Sequence, residues 1–366
     1  MNIVFLIDSL DVGGAERVLL SYVKLLKITT KHHITVVTNK ASRNSFIKHE
    51  VEAYADCKVL VDEFSGCNRW WWNIKKSIVR KYRLEQLLKH TDLIIDFLDA
   101  DFYKYIKSSK KPKITFLHLS YKRLLCDKKN IEHKCGGYDM IISICQSIND
   151  EISECNPVWK DRIRLIYNPF DFESMNGDLG RHLDENVNDD EVLKSDYIVT
   201  VSRLDEGSKT KDITTLLNAY AYAYNRGVDY NLVIVGDGPD RLKLENLASE
   251  LGVLHRVYFV GIKKNPYLWM KNARGFILSS RSEGFPTVLI EAMYFNGSLI
   301  STDCPTGPSE ILKNGKIGRL CKILDAADMG EAMLNLPPKV QKEEALKYSK
   351  EVSMRALDKV IKELML

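Results

Sequence analysis

The chain has 366 residues and a mass of 42.0 kDa, more than one hydrophobic core of ~250–300 residues usually holds, so two domains are expected. Hydrophobic residues make up 45% and charged residues 28%, with 20 Gly and 10 Pro, which excludes collagen-like, low-complexity and wholly disordered chains. The net charge of +4 is too small for a nucleic-acid binder, although residues 1–150 carry 25 Lys+Arg against 17 Asp+Glu and so lean towards anionic partners.

Asn2–Ile7 reads as a buried strand that starts at once, without the basic region and cleavage site of a signal peptide. No apolar run approaches the ~18–20 residues of a membrane span. A cytoplasmic protein is therefore expected. Ala15–Leu26 reads as a helix and Ile34–Thr38 as the next strand. Leu93–Phe97, Ile114–Leu117 and Ile163–Ile166 follow as further strands. Asp171–Ser195 breaks the pattern with Asn176-Gly177, Leu179-Gly180 and a polar run, and reads as an interdomain connection. Beyond it, Tyr197–Val201, Leu232–Val235, Val257–Val260, Phe276–Ser279 and Ser298–Ser301 read as strands. Lys339–Leu366 reads as one long closing helical pattern. Strands alternating with helices predict an α/β chain with a doubly wound parallel sheet in each half. In such sheets ligands bind at the carboxyl ends of the strands.

The eight cysteines form no C-x-x-C pair and no zinc-finger spacing, so free thiols in a reducing compartment are expected, and no metal site. After the first strand, Gly13-Gly14-Ala15-Glu16 opens a helix, where glycines admit close approach and free N–H groups face an anion. There is neither a G-x-G-x-x-G nor a Walker sequence. Arg203 follows the strand Tyr197–Val201, and Lys209 and Lys211 come just before a helical pattern beginning at Asp212. Cations at a strand's carboxyl end suit a diphosphate, the Arg as a fork and either Lys as a point charge. Val235-Gly236-Asp237-Gly238-Pro239 is a second close-approach loop.

The most specific segment runs from Ser282 to Met293. Pro286 falls near a helix start, Thr287 is the candidate cap, and Glu291 lies one turn inside, on the side of Thr287. Glu283, in the preceding loop, and Glu291 are carboxylates that suit the hydroxyls of a neutral polyol. Glu283 to Glu291 is an E-x7-E motif. With Gly13-Gly14-Ala15-Glu16, His118 after Ile114–Leu117, Ile166-Tyr167-Asn168-Pro169, Ser202-Arg203-Leu204-Asp205, Gly236-Asp237-Gly238-Pro239 and Gly307-Pro308-Ser309-Glu310, the chain resembles the family-4 glycosyltransferases, retaining enzymes of the GT-B fold that assemble bacterial surface polysaccharides.

The resemblance implies two Rossmann-like domains facing each other across a cleft. An acceptor-side domain spans 1–172, a linker 173–195, a nucleotide-sugar domain 196–344, and a helix at 345–366 packs back towards the first domain. It implies transfer of a hexose or N-acetylhexosamine from a nucleotide sugar, UDP-linked by family frequency, to a glycan or lipid-diphosphate-linked acceptor, without a metal. Arg203 and Lys209 hold the diphosphate, Glu291 the ribose, and Glu283 with Gly284, Phe285, Pro286 and Thr287 the sugar. Gly13 and Gly14 approach the diphosphate, Gly236 and Gly261 belong to the donor loops, the base sits against the loop Val260–Lys263, and His118 lies near the reacting centre. Two other readings stay open: a nucleotide-sugar epimerase of the same architecture, and a catalytically silent nucleotide-sugar-binding partner subunit.

Two further features stand apart. Asp99-Ala100-Asp101 matches the Asp-x-Asp of metal-dependent transferases, a match that chance explains among 49 acidic residues. Trp70-Trp71-Trp72 precedes a helical pattern in which Arg69, Lys75, Lys76, Arg80, Lys81, Arg83 and Lys89 face a single acid, Glu85. Either the apolar side of that helix (Ile74, Ile78, Tyr82, Leu88) packs into the first domain, or the segment docks on a membrane surface as a peripheral contact.

Overall fold

The computed structural model describes residues 1–11, 14–42, 46–61, 70–179, 187–208 and 210–365, with backbone alone at 70–74 and 187–190. The chain divides into two compact units: Met1–Phe170 with Lys350–Leu366, and Asp171–Ser349.

In the first unit seven strands pair in parallel: β1 (Asn2–Ile7), β2 (His33–Lys40), β3 (Asp56–Val61), β4 (Leu93–Asp96), β5 (Lys113–Leu117), β6 (Met140–Ser143) and β7 (Ile163–Leu165). Their order is β3-β2-β1-β4-β5-β6-β7. In the second unit β8 (Tyr197–Val201), β9 (Asn231–Val235), β10 (Val257–Gly261), β11 (Gly275–Leu278), β12 (Leu299–Thr302) and β13 (Arg319–Cys321) form a parallel sheet ordered β10-β9-β8-β11-β12-β13. β4, β5, β6, β9, β11 and β12 are buried at every position. Helices covering both faces of a parallel sheet require such strands, which explains why apolar runs marked most of them. The helix Ile213–Tyr224 packs on Ala326–Leu334 through Leu216, Ala219, Tyr220, Met329 and Met333 in the core of this unit.

Three strands are absent from the reading above. β3 and β13 are sheet edges, where one side of the strand meets solvent and charged residues interrupt the apolar run. β6 lies inside the sheet and does carry an apolar run, Met140–Ile142. The expected linker 173–195 contains two helices, Phe172–Asp178 and Val187–Lys194, and both belong to the second unit. Asp171 caps the first by accepting from Ser174 N at 3.1 Å. Phe172 stacks on Tyr294 at 4.3 Å between ring centroids, so this segment is packed and not a free connection.

The closing helical pattern is also divided. Helix Glu343–Leu346 belongs to the second unit and Lys350–Met365 to the first, so the boundary falls at Ser349/Lys350 and not after residue 344. Pro337 and Pro338 lie ahead of both helices, where the chain is not helical. Lys350 N donates to Phe170 O at 2.9 Å, tying the start of the last helix to the end of the first unit's amino-terminal segment. That helix packs on the helix Gly14–Thr29, burying Leu357, Val360 and Ile361, and Glu363 pairs with Arg164.

Helix Trp70–Leu88 buries Leu84 and Leu88, while Ile78 and Tyr82 are 63% and 62% exposed. The expected packed face therefore fails at Ile78 and Tyr82. Leu84 and Leu88, four apart, define the inner stripe, and Arg83 Nη1 donates to Leu60 O at 2.8 Å. The side chains of Trp70, Trp71, Trp72 and Ile74 lie outside the described residues.

Candidate active site

Strand order in the second sheet reverses beside β8: β9 lies on one side of it and β11 on the other. The connections leaving β8 and β11 thus diverge, which opens a crevice at their carboxyl ends. Arg203 follows β8. Its side chain is 64% exposed and meets Asp205 at 3.2 Å. Lys211 lies in the same connection, just before the helix Ile213–Tyr224, which Asp212 caps through Thr215 N at 3.0 Å.

Glu283 stands in the connection after β11. Lys211 Nζ and Ser280 Oγ both donate to its Oε1, and both members of the ion pair are largely buried. Ser280 O in turn accepts from Thr302 Oγ1 at the end of β12. The Glu283 backbone is held on both sides: its N donates to Pro305 O at 2.8 Å, and its O accepts from Thr306 N at 2.8 Å. Gly307, with φ +93°, sits against this loop, and a Cβ there would come within 2.8 Å of Pro286 Cδ and 2.9 Å of Gly284 O. Gly307 therefore lets the 305–307 chain clamp the Glu283–Pro286 loop.

The helix Thr287–Phe295 follows directly. Pro286 occupies its N-cap position and Thr287 its first turn, with no side-chain cap. This corrects the expected capping role of Thr287, because a residue inside the helix does not bond back to the end. The amino-terminal N–H groups of this helix thus have no side-chain cap. Phe285 is buried with its ring edge-on to Tyr348 at 5.4 Å, so its backbone is the part left to face a ligand. Glu291 lies four residues after Thr287, on the same helical side and half-buried.

Gly236 ends β9. Its φ is +133°, and a Cβ would fall 1.9 Å from Ser202 O, so any side chain would collide with the connection after β8. Gly236 N donates to Gly261 O at 2.8 Å, which aligns the ends of β9 and β10. Lys263 is buried just beyond, its ammonium 5.7 Å from the Trp269 ring. Lys209 and Gly13 lie outside the described residues. The assignment of Lys209 to a diphosphate thus rests on the resemblance; among the described residues Lys211 is a cation that meets Glu283.

In the first unit, Gly14 opens the helix Gly14–Thr29 after β1, and nothing lies within 4 Å of a Cβ built on it. His118 follows β5. Its ring lies 4.8 Å from Phe97 and stacks on Phe116 at 6.2 Å, within the aromatic group of Phe5, Tyr22, Phe97 and Phe116. His118 Nε2 is buried and has no partner among the described residues. Burial lowers its pKa to about 4, against a smaller opposing effect from a hydrogen bond to the Phe97 backbone. The imidazole is therefore neutral at pH 7.

Asp99 accepts from His118 N at 2.8 Å, and burial pushes its pKa up to about 6. Asp101 pairs with Lys128 at 2.7 Å. Both acids of the Asp-x-Asp match thus have partners within the fold. No group of three or more His, Cys, Asp or Glu side chains is gathered for a metal among the described residues. None of the described helices is long and apolar enough to cross a membrane.

The profile of the family described as "Glycosyl transferases group 1" matches residues 185–350, which include β8–β13 together with Arg203, Lys211, Glu283 and Glu291. The lipopolysaccharide 1,6-galactosyltransferase of Salmonella typhimurium is 30% identical over 263 residues, covering 68% of each chain. The chain belongs to the group 1 glycosyl transferases. A further relative of this transferase is a Campylobacter jejuni enzyme named N-acetylgalactosamine-N,N'-diacetylbacillosaminyl-diphospho-undecaprenol 4-alpha-N-acetylgalactosaminyltransferase. It is 23% identical and covers 97% of this chain and 95% of its own. Among solved structures, Anabaena Alr3699/HepE in complex with UDP superposes with a TM-score of 0.75 at 18% identity, covering 100% of this chain and 99% of that one. The fold is accordingly the GT-B class expected from the resemblance.

His118 makes a testable contribution to the transferase's acid stability. The folded state holds it neutral down to about pH 4, whereas the unfolded chain takes up a proton near the ordinary 6.5. Acid thus favours unfolding: the stability present above pH 6.5 is lost as pH falls towards 4. Asp99 acts in the opposite sense, because its folded pKa is raised, but it does so in parent and variant alike. Urea unfolding of the parent and His118→Gln, compared at pH 7 and 4.5, should show the parent losing about 2 kcal/mol more than the variant.

Proposed function

We propose that this glycosyltransferase moves a hexose or N-acetylhexosamine, with retention of anomeric configuration in the manner of family 4, from a UDP-sugar to a lipid-diphosphate-linked glycan during polysaccharide biosynthesis. The observation that carries the reading is the Lys211–Glu283 pair joining the connections that leave β8 and β11 at the strand-order reversal, with Arg203 on the first of them. It combines a cation for a diphosphate with a carboxylate for sugar hydroxyls. Arg203 and Lys211 take the diphosphate, with Lys209 in the same connection. Glu283 and the backbone of Gly284–Thr287 take the sugar, Glu291 the ribose, and the Gly261–Lys263 segment the base. Gly13, Gly14 and His118 of the first unit are assigned to the same reaction on the resemblance. The names of the Salmonella and Campylobacter relatives support the acceptor class, and UDP in the Anabaena structure supports the nucleotide.

Departure of the nucleoside diphosphate builds negative charge on the leaving group while the sugar becomes oxocarbenium-like. Preorganised cations and helix N–H groups stabilise that charge electrostatically. The acceptor attacks from the face the diphosphate leaves, and the departing phosphate takes the acceptor's proton. The start and middle of the helix Trp70–Leu88 support a peripheral membrane contact: Trp70, Trp71 and Trp72 begin the helix, and Lys75, Lys76 and Lys81 lie near the exposed Ile78, Val79 and Tyr82 in the chain. Apolar groups at headgroup depth flanked by cations suit an anionic bilayer, where each cation adds about 1 kcal/mol.

A donor screen with purified protein, run with and without acceptor and read by nucleotide release and product mass, tests the reaction. Glu283→Gln should keep the fold and lose roughly 10²–10³ in turnover, the usual cost of one well-placed charge-stabilising or positioning group. Lys211→Met should weaken binding of UDP itself. Near-normal turnover by Glu283→Gln would refute the donor-site assignment.

Because the charge work falls to Arg203, Lys211 and helix N–H groups, EDTA should leave turnover unchanged. Loss of activity restored by Mn²⁺ would overturn that assignment. Liposome sedimentation should show salt-sensitive binding to anionic but not neutral vesicles, reduced by Ile78→Ser with Tyr82→Ser and by neutralising Lys75, Lys76 and Lys81. Equal, negligible binding to both vesicle types would remove the membrane contact.

A further inference from the structure

Lys211 does not stand on its own connection alone. The residue before it, Thr210, accepts at its carbonyl oxygen from Arg281 N at 2.8 Å. The residue after it, Asp212, accepts at Oδ2 from Arg281 Nε at 2.9 Å. Arg281 lies two residues before Glu283. One residue of the β11 connection therefore grips both neighbours of Lys211, and the ion pair between Lys211 and Glu283 lies beside that grip.

Asp212 is only 1% exposed. A buried carboxylate must have its lone pairs bonded, and here Thr215 N, Thr215 Oγ1 and Arg281 Nε supply three donors at 3.0, 2.8 and 2.9 Å. The same oxygen set thus caps the helix Ile213–Tyr224 and anchors Arg281. Glu206 adds a brace by accepting from Ile213 N at 2.7 Å, and its own N donates to Asp240 at 2.8 Å. Asp212 also holds the Arg281 guanidinium firmly protonated. Thr210, Asp212 and Arg281 share placement around Lys211 and Glu283: two of them flank Lys211 in the chain, and the third lies two residues before Glu283.

We propose that Arg281 and Asp212 form the positioning pair of the donor site, locking the connections after β8 and β11 in register so that Lys211 and Glu283 are presented together. This rests on the donor-site reading above and adds residues that neither touch the donor nor appear in the E-x7-E motif. A fork-shaped guanidinium can hold a side-chain carboxylate while its own backbone N–H holds the neighbouring chain; a lysine ammonium cannot reproduce the fixed plane.

The test uses the full chain, with UDP as the binding probe and the donor found by the screen as substrate. Arg281→Gln should lower turnover and weaken UDP binding by about 10- to 100-fold, the range expected when reacting groups are misplaced by about 1 Å. Arg281→Lys should recover the thermal midpoint more fully than the turnover. Lys211→Met placed in the Arg281→Gln background should cost little beyond Arg281→Gln alone, because Lys211 is already displaced; multiplication of the two losses would mean that the residues act independently and would overturn the proposal. If Arg281→Gln does not fold, Asp212→Asn decides, since the amide oxygen still caps the helix while the charge partner of Arg281 is gone. Folded Arg281→Gln or Asp212→Asn with turnover and UDP affinity within about twofold of the parent would refute the pair. Glu283→Gln run alongside separates the two levels: if it is normal, the donor-site reading fails, and if it alone is inactive, only the positioning pair fails.

Discussion

A parallel sheet cannot turn back on itself with a tight hairpin; each strand must be joined to the next by a crossover, and crossovers are right-handed. In both sheets of this chain the strand order reverses once, beside β1 and beside β8. Successive crossovers on the two sides of that point must run to opposite faces. The connections after β8 and β11 therefore part at their carboxyl ends, and the space between them belongs to no packed helix. Arg203, Lys211 and Glu283 all lie on those two connections. The place of these three side chains in the second unit is thus set by handedness.

Burial then decides which residues can carry it. Strands covered on both faces leave no solvated position along their length, so polar groups collect at strand ends. Several of those buried there are bonded: Asp212 by three donors, Ser280 and Thr302 to neighbouring oxygens, Asp99 by the backbone of His118. Asp96, fully buried at the end of β4, accepts from Tyr138 and from Phe102 N at 2.8 Å, and burial raises its pKa to about 7. The buried acids Asp96 and Asp99 of the first unit therefore hold loops through backbone N–H groups. In the second unit the same device leaves Lys211 and Glu283 facing each other at the edge of the packed region.

Much of this was legible in the linear chain. Asn2–Ile7 and Tyr197–Val201 are read to the residue, because an apolar run bounded by polar residues has only one placement in a two-faced sheet. Asp212 as the start of a helix and Glu283 in a strand-to-helix loop were also readable from local chemistry. The misses share a cause. β3 and β13 gain their place from a neighbour's hydrogen bonds rather than from their own apolar content. The helices Phe172–Asp178 and Glu343–Leu346 look like linker and tail until Tyr294 and the rest of the second unit cover them. Ile78 and Tyr82 fit a helical stripe, yet which stripe faces inward depends on the partner surface, and Leu84 with Leu88 wins it.

The sequence by itself determined the class of the fold, the alternation that makes its sheets parallel, and the family to which the chain belongs. These follow from local periods of hydrophobicity and from short spacings, which the chain carries regardless of its folded contacts. Only the tertiary structure decided that Lys211 meets Glu283, that Arg281 reaches back to Thr210 and Asp212, and that the last helix, Lys350–Met365, returns to the first unit. Each of those contacts joins residues about 70 to 180 positions apart or assigns a helix to one of two cores. Such pairings depend on which surfaces remain after the sheets have formed, and no local pattern encodes them.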